Sequence, residues 1–130
     1  MFFILHILLM AISTLGIIAG VGAAMFFRKK KNWMNIHKTV NLISSIGAAT
    51  GIVMVVIYIT SEGGEHFDGV HQIIGLIAFT AAFITMFLGF YQFKSKNKPA
   101  TRAAHRWFGR FSLLMFLTAI ILGLMLINII

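Results

Sequence analysis

Four long apolar stretches, at roughly 2–27, 33–60, 69–93 and 103–130, leave this chain few ways to fold. Each exceeds the ~20 residues that an α-helix needs to cross ~30 Å of hydrocarbon. Only helices and closed barrels satisfy every backbone polar group inside a bilayer, and runs of this length without strand-like alternation read as helices. Composition agrees: of 130 residues, 59% are hydrophobic and only 11% charged, with mean hydropathy +0.94. A water-soluble domain carries about 25% charged residues, so a soluble globule is excluded. The absence of cysteine excludes a disulfide framework, an iron–sulfur site, a c-type haem attachment and a thiolate nucleophile. The polar breaks between the stretches are short, which forces antiparallel neighbours. The expected fold is a single all-α domain over 1–130, an integral membrane up-down-up-down four-helix bundle.

Charge gives the expected orientation. All 11 basic residues lie in or beside the loops at 28–32 and 94–102, and all three acids (Glu62, Glu65, Asp68) lie in the second loop. The positive-inside rule then places the basic loops in the cytoplasm and both termini outside. The net charge of +8 is thereby a matter of topology and anionic lipid rather than of nucleic acid. Met1-Phe2-Phe3 offers no positive n-region, so the first stretch reads as a retained helix rather than a signal peptide. Trp33, Trp107, Tyr58 and Tyr91 fall near helix ends, as interfacial anchors do.

Five histidines occur, and His66 belongs to the outer loop. The other four, His6, His37, His71 and His105, lie one per helix in its first few turns. Because successive helices reverse direction, His6 and His71 are expected near the outer face, and His37 and His105 near the inner face. In an up-down bundle, helices 1 and 3 are diagonal, as are 2 and 4, with axes roughly 11–14 Å apart when neighbours are ~8–10 Å apart. That gap suits a flat macrocycle whose iron takes one imidazole from each side. A lone histidine in a membrane helix is often satisfied by a neighbouring carbonyl, but four, paired by depth, point to two haem b groups. The expected iron ligands are His6 with His71 at the outer level and His37 with His105 at the inner.

Other candidates carry weaker signals. Gly75 and Gly109 each follow a histidine by one turn and leave room for a porphyrin edge. Gly16, Gly20, Gly22, Gly47 and Gly51 admit the same reading or, equally, close helix packing. Lys38, Arg106 and Arg110 flank the inner histidines, where they could neutralise haem propionates or meet an anionic donor. No catalytic residue is assigned.

The carrying segments are His6, Phe27-Arg28 with Trp33-Met34-Asn35-Ile36-His37, Val70-His71-Gln72-Ile73-Ile74-Gly75, and Arg102-Ala103-Ala104-His105-Arg106-Trp107-Phe108-Gly109-Arg110. Together, from His6 to about Gly123, they resemble the four-helix di-haem core of the cytochrome b561 family, including its members linked to an extracellular redox domain. The resemblance implies the same ligand pairs, His6/His71 and His37/His105, and transmembrane electron transfer. It implies a redox donor and acceptor, either a quinol, an ascorbate-like reductant or another redox protein. The stretch shows neither the two flanking helices nor the appended domain of larger members, so a subunit of a larger complex or a homodimer is expected. Two other readings compete: a haem-free four-helix transporter, and a structural subunit binding quinone or a metal. Confinement of every carboxylate to one loop counts against the transporter, which needs an intramembrane acid for proton coupling.

Overall fold

The computed structural model describes residues 1–130 and is entirely helical: α1 (Phe2–Phe26), α2 (Trp33–Ser61), α3 (Val70–Tyr91) and α4 (Lys98–Leu126). All four are long and apolar enough to span a membrane. The protein is therefore an all-α, multi-pass membrane protein, as its sequence requires. The expected boundaries hold to within two residues except in α4, which begins at Lys98 instead of 103 and ends at Leu126 instead of 130. Residues 98–102, read above as the end of the third loop, are its first turn. Pro99 fits there because the first-turn N–H groups have no intrahelical partner, and the Asn97 side chain accepts from Ala100 N at 3.2 Å. The connection between α2 and α3 turns through two left-handed residues, Gly63 (φ 69°) and Phe67 (φ 66°).

The helices form two hairpin units, Met1–Asp68 and Gly69–Ile130. In the first, α1 buries Ser13, Thr14, Ile17, Gly20 and Ala23, and α2 buries Ser44, Ala48 and Gly51. These residues recur at steps of three and four, which makes one helical stripe on each partner. Almost all are small. Apolar surface gains little by leaving lipid for protein, so helices in a membrane associate by close packing of such residues. Gly16 shows how close: a Cβ there would fall on Ser44 Oγ. At the open end of the hairpin the Phe3 and Tyr58 rings meet at 5.5 Å, as antiparallel helices require.

The second hairpin solves the same problem differently. Ala78 and Ala81 of α3 are buried, as are Ser112, Phe116 and Ala119 of α4. Ser112 Oγ donates to Ala78 O at 3.1 Å, and Phe116, 1% exposed, supplies bulk where the first hairpin has Ala48.

One buried polar atom lacks a partner. Thr14 Oγ1 makes no hydrogen bond although the residue is 2% exposed. An unsatisfied buried hydroxyl costs about 1–3 kcal/mol, and valine keeps the branched shape without it. Thr14→Val is expected to stabilise the protein by about 1 kcal/mol, read as a raised midpoint of thermal unfolding in detergent. A lowered midpoint would mean that the hydroxyl is satisfied after all.

Candidate functional site

Each of the four helix histidines is half-buried and sends Nδ1 across its hairpin to a backbone carbonyl. His6 Nδ1 lies 2.9 Å from Gly51 O, and His37 Nδ1 lies 2.8 Å from Gly20 O. In the second hairpin His71 Nδ1 is 2.9 Å from Ala119 O, and His105 Nδ1 is 2.8 Å from Thr85 O. A carbonyl oxygen only accepts, so the proton sits on Nδ1 in all four and the ring lone pair on Nε2. This is how proteins prepare a metal-ligating imidazole: the second nitrogen donates to a carbonyl, which fixes tautomer and ring orientation and raises the basicity of the first.

The acceptors follow one rule. Gly20 lies fourteen residues after His6, Gly51 fourteen after His37, Thr85 fourteen after His71 and Ala119 fourteen after His105. Each helix thus carries a histidine and, fourteen residues on, the carbonyl that holds its partner's histidine. At 1.5 Å per residue the two histidines of one hairpin stand ~21 Å apart along the axis, about two-thirds of the ~30 Å hydrocarbon thickness. The separation of histidines into two depths, inferred from helix direction alone, is thus present within each hairpin.

The rule has a counterpart in sequence that the spacing of the histidines alone does not reveal. Both helices of the first hairpin read His-x6-Ser-x2-Gly-x3-Gly, as His6, Ser13, Gly16, Gly20 and as His37, Ser44, Gly47, Gly51. The second hairpin keeps the small residue seven after the histidine, as Ala78 and Ser112, and moves its glycine to eighteen after it, as Gly89 and Gly123. Laying α1 over α2 at their histidines would have marked Gly20 and Gly51, whereas Thr85 and Ala119 carry no such mark.

The glycines singled out by sequence divide accordingly. Gly16, Gly20, Gly47 and Gly51 are packing positions: a Cβ on them would meet Ser44, Asn41, Ser13, and Leu9 with Met10. At Gly20 the freed space is filled by the Asn41 amide, whose Nδ2 donates to His37 O at 2.7 Å and lies 3.1 Å from His37 Nδ1. Gly109 packs on α3, with a Cβ position 3.4 Å from Thr85 Cγ2. Gly75, one turn after His71, and Gly22 face open space, with nothing within 4 Å. Lys38, Arg106 and Arg110 are exposed, and the Arg110 guanidinium lies 5.4 Å over the Trp107 ring. His66 stays in the loop, its Nε2 3.2 Å from Thr60 Oγ1.

Nowhere do three His, Asp or Glu side chains gather as they would around a small ion. One lone-pair nitrogen per helix, prepared by a carbonyl at a defined depth, fits haem iron, which takes one axial nitrogen on each face. The family comparison decides the matter: the model for eukaryotic cytochrome b561 matches residues 3–129. The chain belongs to the cytochrome b561 family. No curated protein and no solved structure matches it. Membership makes it a haem-binding membrane protein of transmembrane electron transfer, with lipid around it and redox partners to serve.

Proposed function

We propose that the protein is a transmembrane electron conduit built on two bis-histidine haem b groups, one held by His6 and His71 and the other by His37 and His105. The observation that carries this reading is the set of four Nδ1–carbonyl bonds at 2.8–2.9 Å, which ready one ligand atom per helix at two depths per hairpin. The family supports the haem chemistry; the pairing rests on depth and on the resemblance. When bound, haem supplies a reversible one-electron couple. The chain's own part would be to offer each iron two imidazoles, to set their basicity through the carbonyls behind them, and to exclude water along the apolar spans. The two hairpins work as one domain, each supplying one ligand to each haem. With both termini outside, the His6/His71 level faces the exterior and the His37/His105 level the cytoplasm.

Vesicles reconstituted with the protein, enclosing ferricyanide and carrying valinomycin to dissipate charge, test the activity. A membrane-impermeant reductant added outside should discharge the enclosed ferricyanide only when haem-loaded protein is present. Equal rates with haem-free protein would overturn the conduit.

Lys38, Arg106 and Arg110 form the proposed docking charge for an anionic donor on the basic side. Arg106 and Arg110 are one helical turn apart beside His105, and Gly75 leaves room for a macrocycle edge beside His71. Neutralising both arginines (Arg106→Gln with Arg110→Gln) is expected to slow reduction by an anionic reductant severalfold and to flatten its dependence on ionic strength. A neutral reductant should be indifferent to the change. Stopped-flow haem reduction at several salt concentrations measures both; unchanged rates would remove these residues from the donor site.

A further inference from the structure

We propose that Gly89 and Gly123 are positioning residues that seat the imidazoles of His105 and His71, and so set the electronics of one haem each. The proposal rests on the bis-histidine reading above. His105 lies in a notch on α3, where its Nδ1 donates to Thr85 O at 2.8 Å while its ring crosses the next turn at Gly89. A Cβ on Gly89 would stand 3.0 Å from His105 Cε1 and 3.2 Å from Nδ1. His71 repeats this on α4: its Nδ1 donates to Ala119 O at 2.9 Å, and a Cβ on Gly123 would stand 3.0 Å from Cε1 and 3.3 Å from Nδ1. In both cases the glycine is one turn past the acceptor, and its bare backbone is the floor on which the ring rests.

The first hairpin shows that this is not a general need for small residues. There the acceptors themselves are the glycines, Gly20 and Gly51, and one turn on stand Ala24 and Val55. A Cβ at Gly20 or Gly51 would meet Asn41 or Leu9 and Met10, not an imidazole. Only the second hairpin spends its glycines on the rings.

A methyl at Gly89 or Gly123 pushes on the edge that carries Nδ1 and Cε1. The ring must withdraw by a few tenths of an ångström, which lengthens the Nδ1–H···O=C bond and swings Nε2. A weaker bond lowers imidazole basicity, and a less basic ligand favours ferric iron less. The affected haem therefore becomes easier to reduce. A tenfold loss in the preference for the ferric state is a rise of ~59 mV for a one-electron couple.

Redox titration of the haem-loaded variants reads this directly. Gly89→Ala should raise the potential of the haem that His105→Ala removes, and Gly123→Ala that of the haem that His71→Ala removes. Each should leave the other haem unmoved. Partial carbon monoxide binding by the reduced form of the same haem would report the loosened ligand. Wild-type potentials in both variants at full haem content would overturn the proposal.

A second measurement decides it even where a variant loads haem poorly. The thermal midpoint of haem-free protein is measured for Gly89→Ala with His105 present and in a His105→Ala background. A seat for the ring predicts that the cost of the methyl largely disappears once the ring is gone; an equal cost in both backgrounds makes Gly89 a helix-packing residue and contradicts the proposal. Absence of haem from the wild-type protein would sink the conduit reading instead, and this cycle would still test the seat.

Discussion

Replacing His105 by alanine is expected to reduce the low-spin haems from two per chain to one, and replacing His37 should produce the same remaining spectrum. His6→Ala and His71→Ala should form the complementary pair, each keeping the haem that the first two lose. The reason is geometric. Within a hairpin the two histidines are ~21 Å apart along the axis, too far to serve one iron, so each must act at its own level. An iron deprived of one axial imidazole either becomes five-coordinate or leaves, and both outcomes remove one set of low-spin bands. Pyridine haemochrome content and reduced-minus-oxidised spectra of the four variants are the measurement. Retention of both sets of low-spin bands in any one variant would remove that histidine from the ligand set. Two variants from the same level keeping different haems would overturn the pairing.

Gly16→Leu is expected to do what no single ligand change does and abolish both haems. Its Cβ alone would land on Ser44 Oγ and stand 3.2 Å from Ser44 Cβ, and the same close fit recurs where a Cβ on Gly47 would meet Ser13. Overpacking of this kind typically costs 1–3 kcal/mol when side chains can give, and here two helices must part. Parting α1 from α2 breaks the His6–Gly51 and His37–Gly20 bonds together, so both levels lose a prepared ligand. The variant should keep its helical circular dichroism, because each span is stable in lipid by itself, while haem content falls toward zero. Haem content near two per chain would show that the α1–α2 seam does not hold the ligands. Leucine at Gly22, which faces open space in the same helix, is the matched control for bulk and should leave haem content close to normal.

The spans, and the separation of the histidines along each hairpin, were legible because they rest on strong, local physics. A bilayer demands about twenty apolar residues per pass, and a polar side chain inside it is rare enough to stand out. The start of α4 was harder. Lys98 to Arg102 read as loop because two of them are basic and one is proline, yet Pro99 and the Asn97 cap are helix-start signals that should have outweighed charge. The glycines were ambiguous for a physical reason. A missing side chain makes room, and sequence does not say for what. At Gly16 the room goes to Ser44, at Gly20 to Asn41, and at Gly89 and Gly123 to imidazoles from the facing helix. Gly89 and Gly123 escaped notice because they lie eighteen residues, five turns, from the histidine on their own helix. They act on the histidine of another. The acceptors Thr85 and Ala119 left no mark in the sequence, since any residue type offers a carbonyl, and only the repeat shared by α1 and α2 points to Gly20 and Gly51.

The central claim is that the four prepared imidazoles hold two haems. The most direct test is a pyridine haemochrome assay on purified protein expressed with ample haem, read beside its dithionite-reduced minus oxidised spectrum. The account predicts sharp low-spin b-type bands and two haems per chain. A protein that is folded and helical but carries no haem would contradict it.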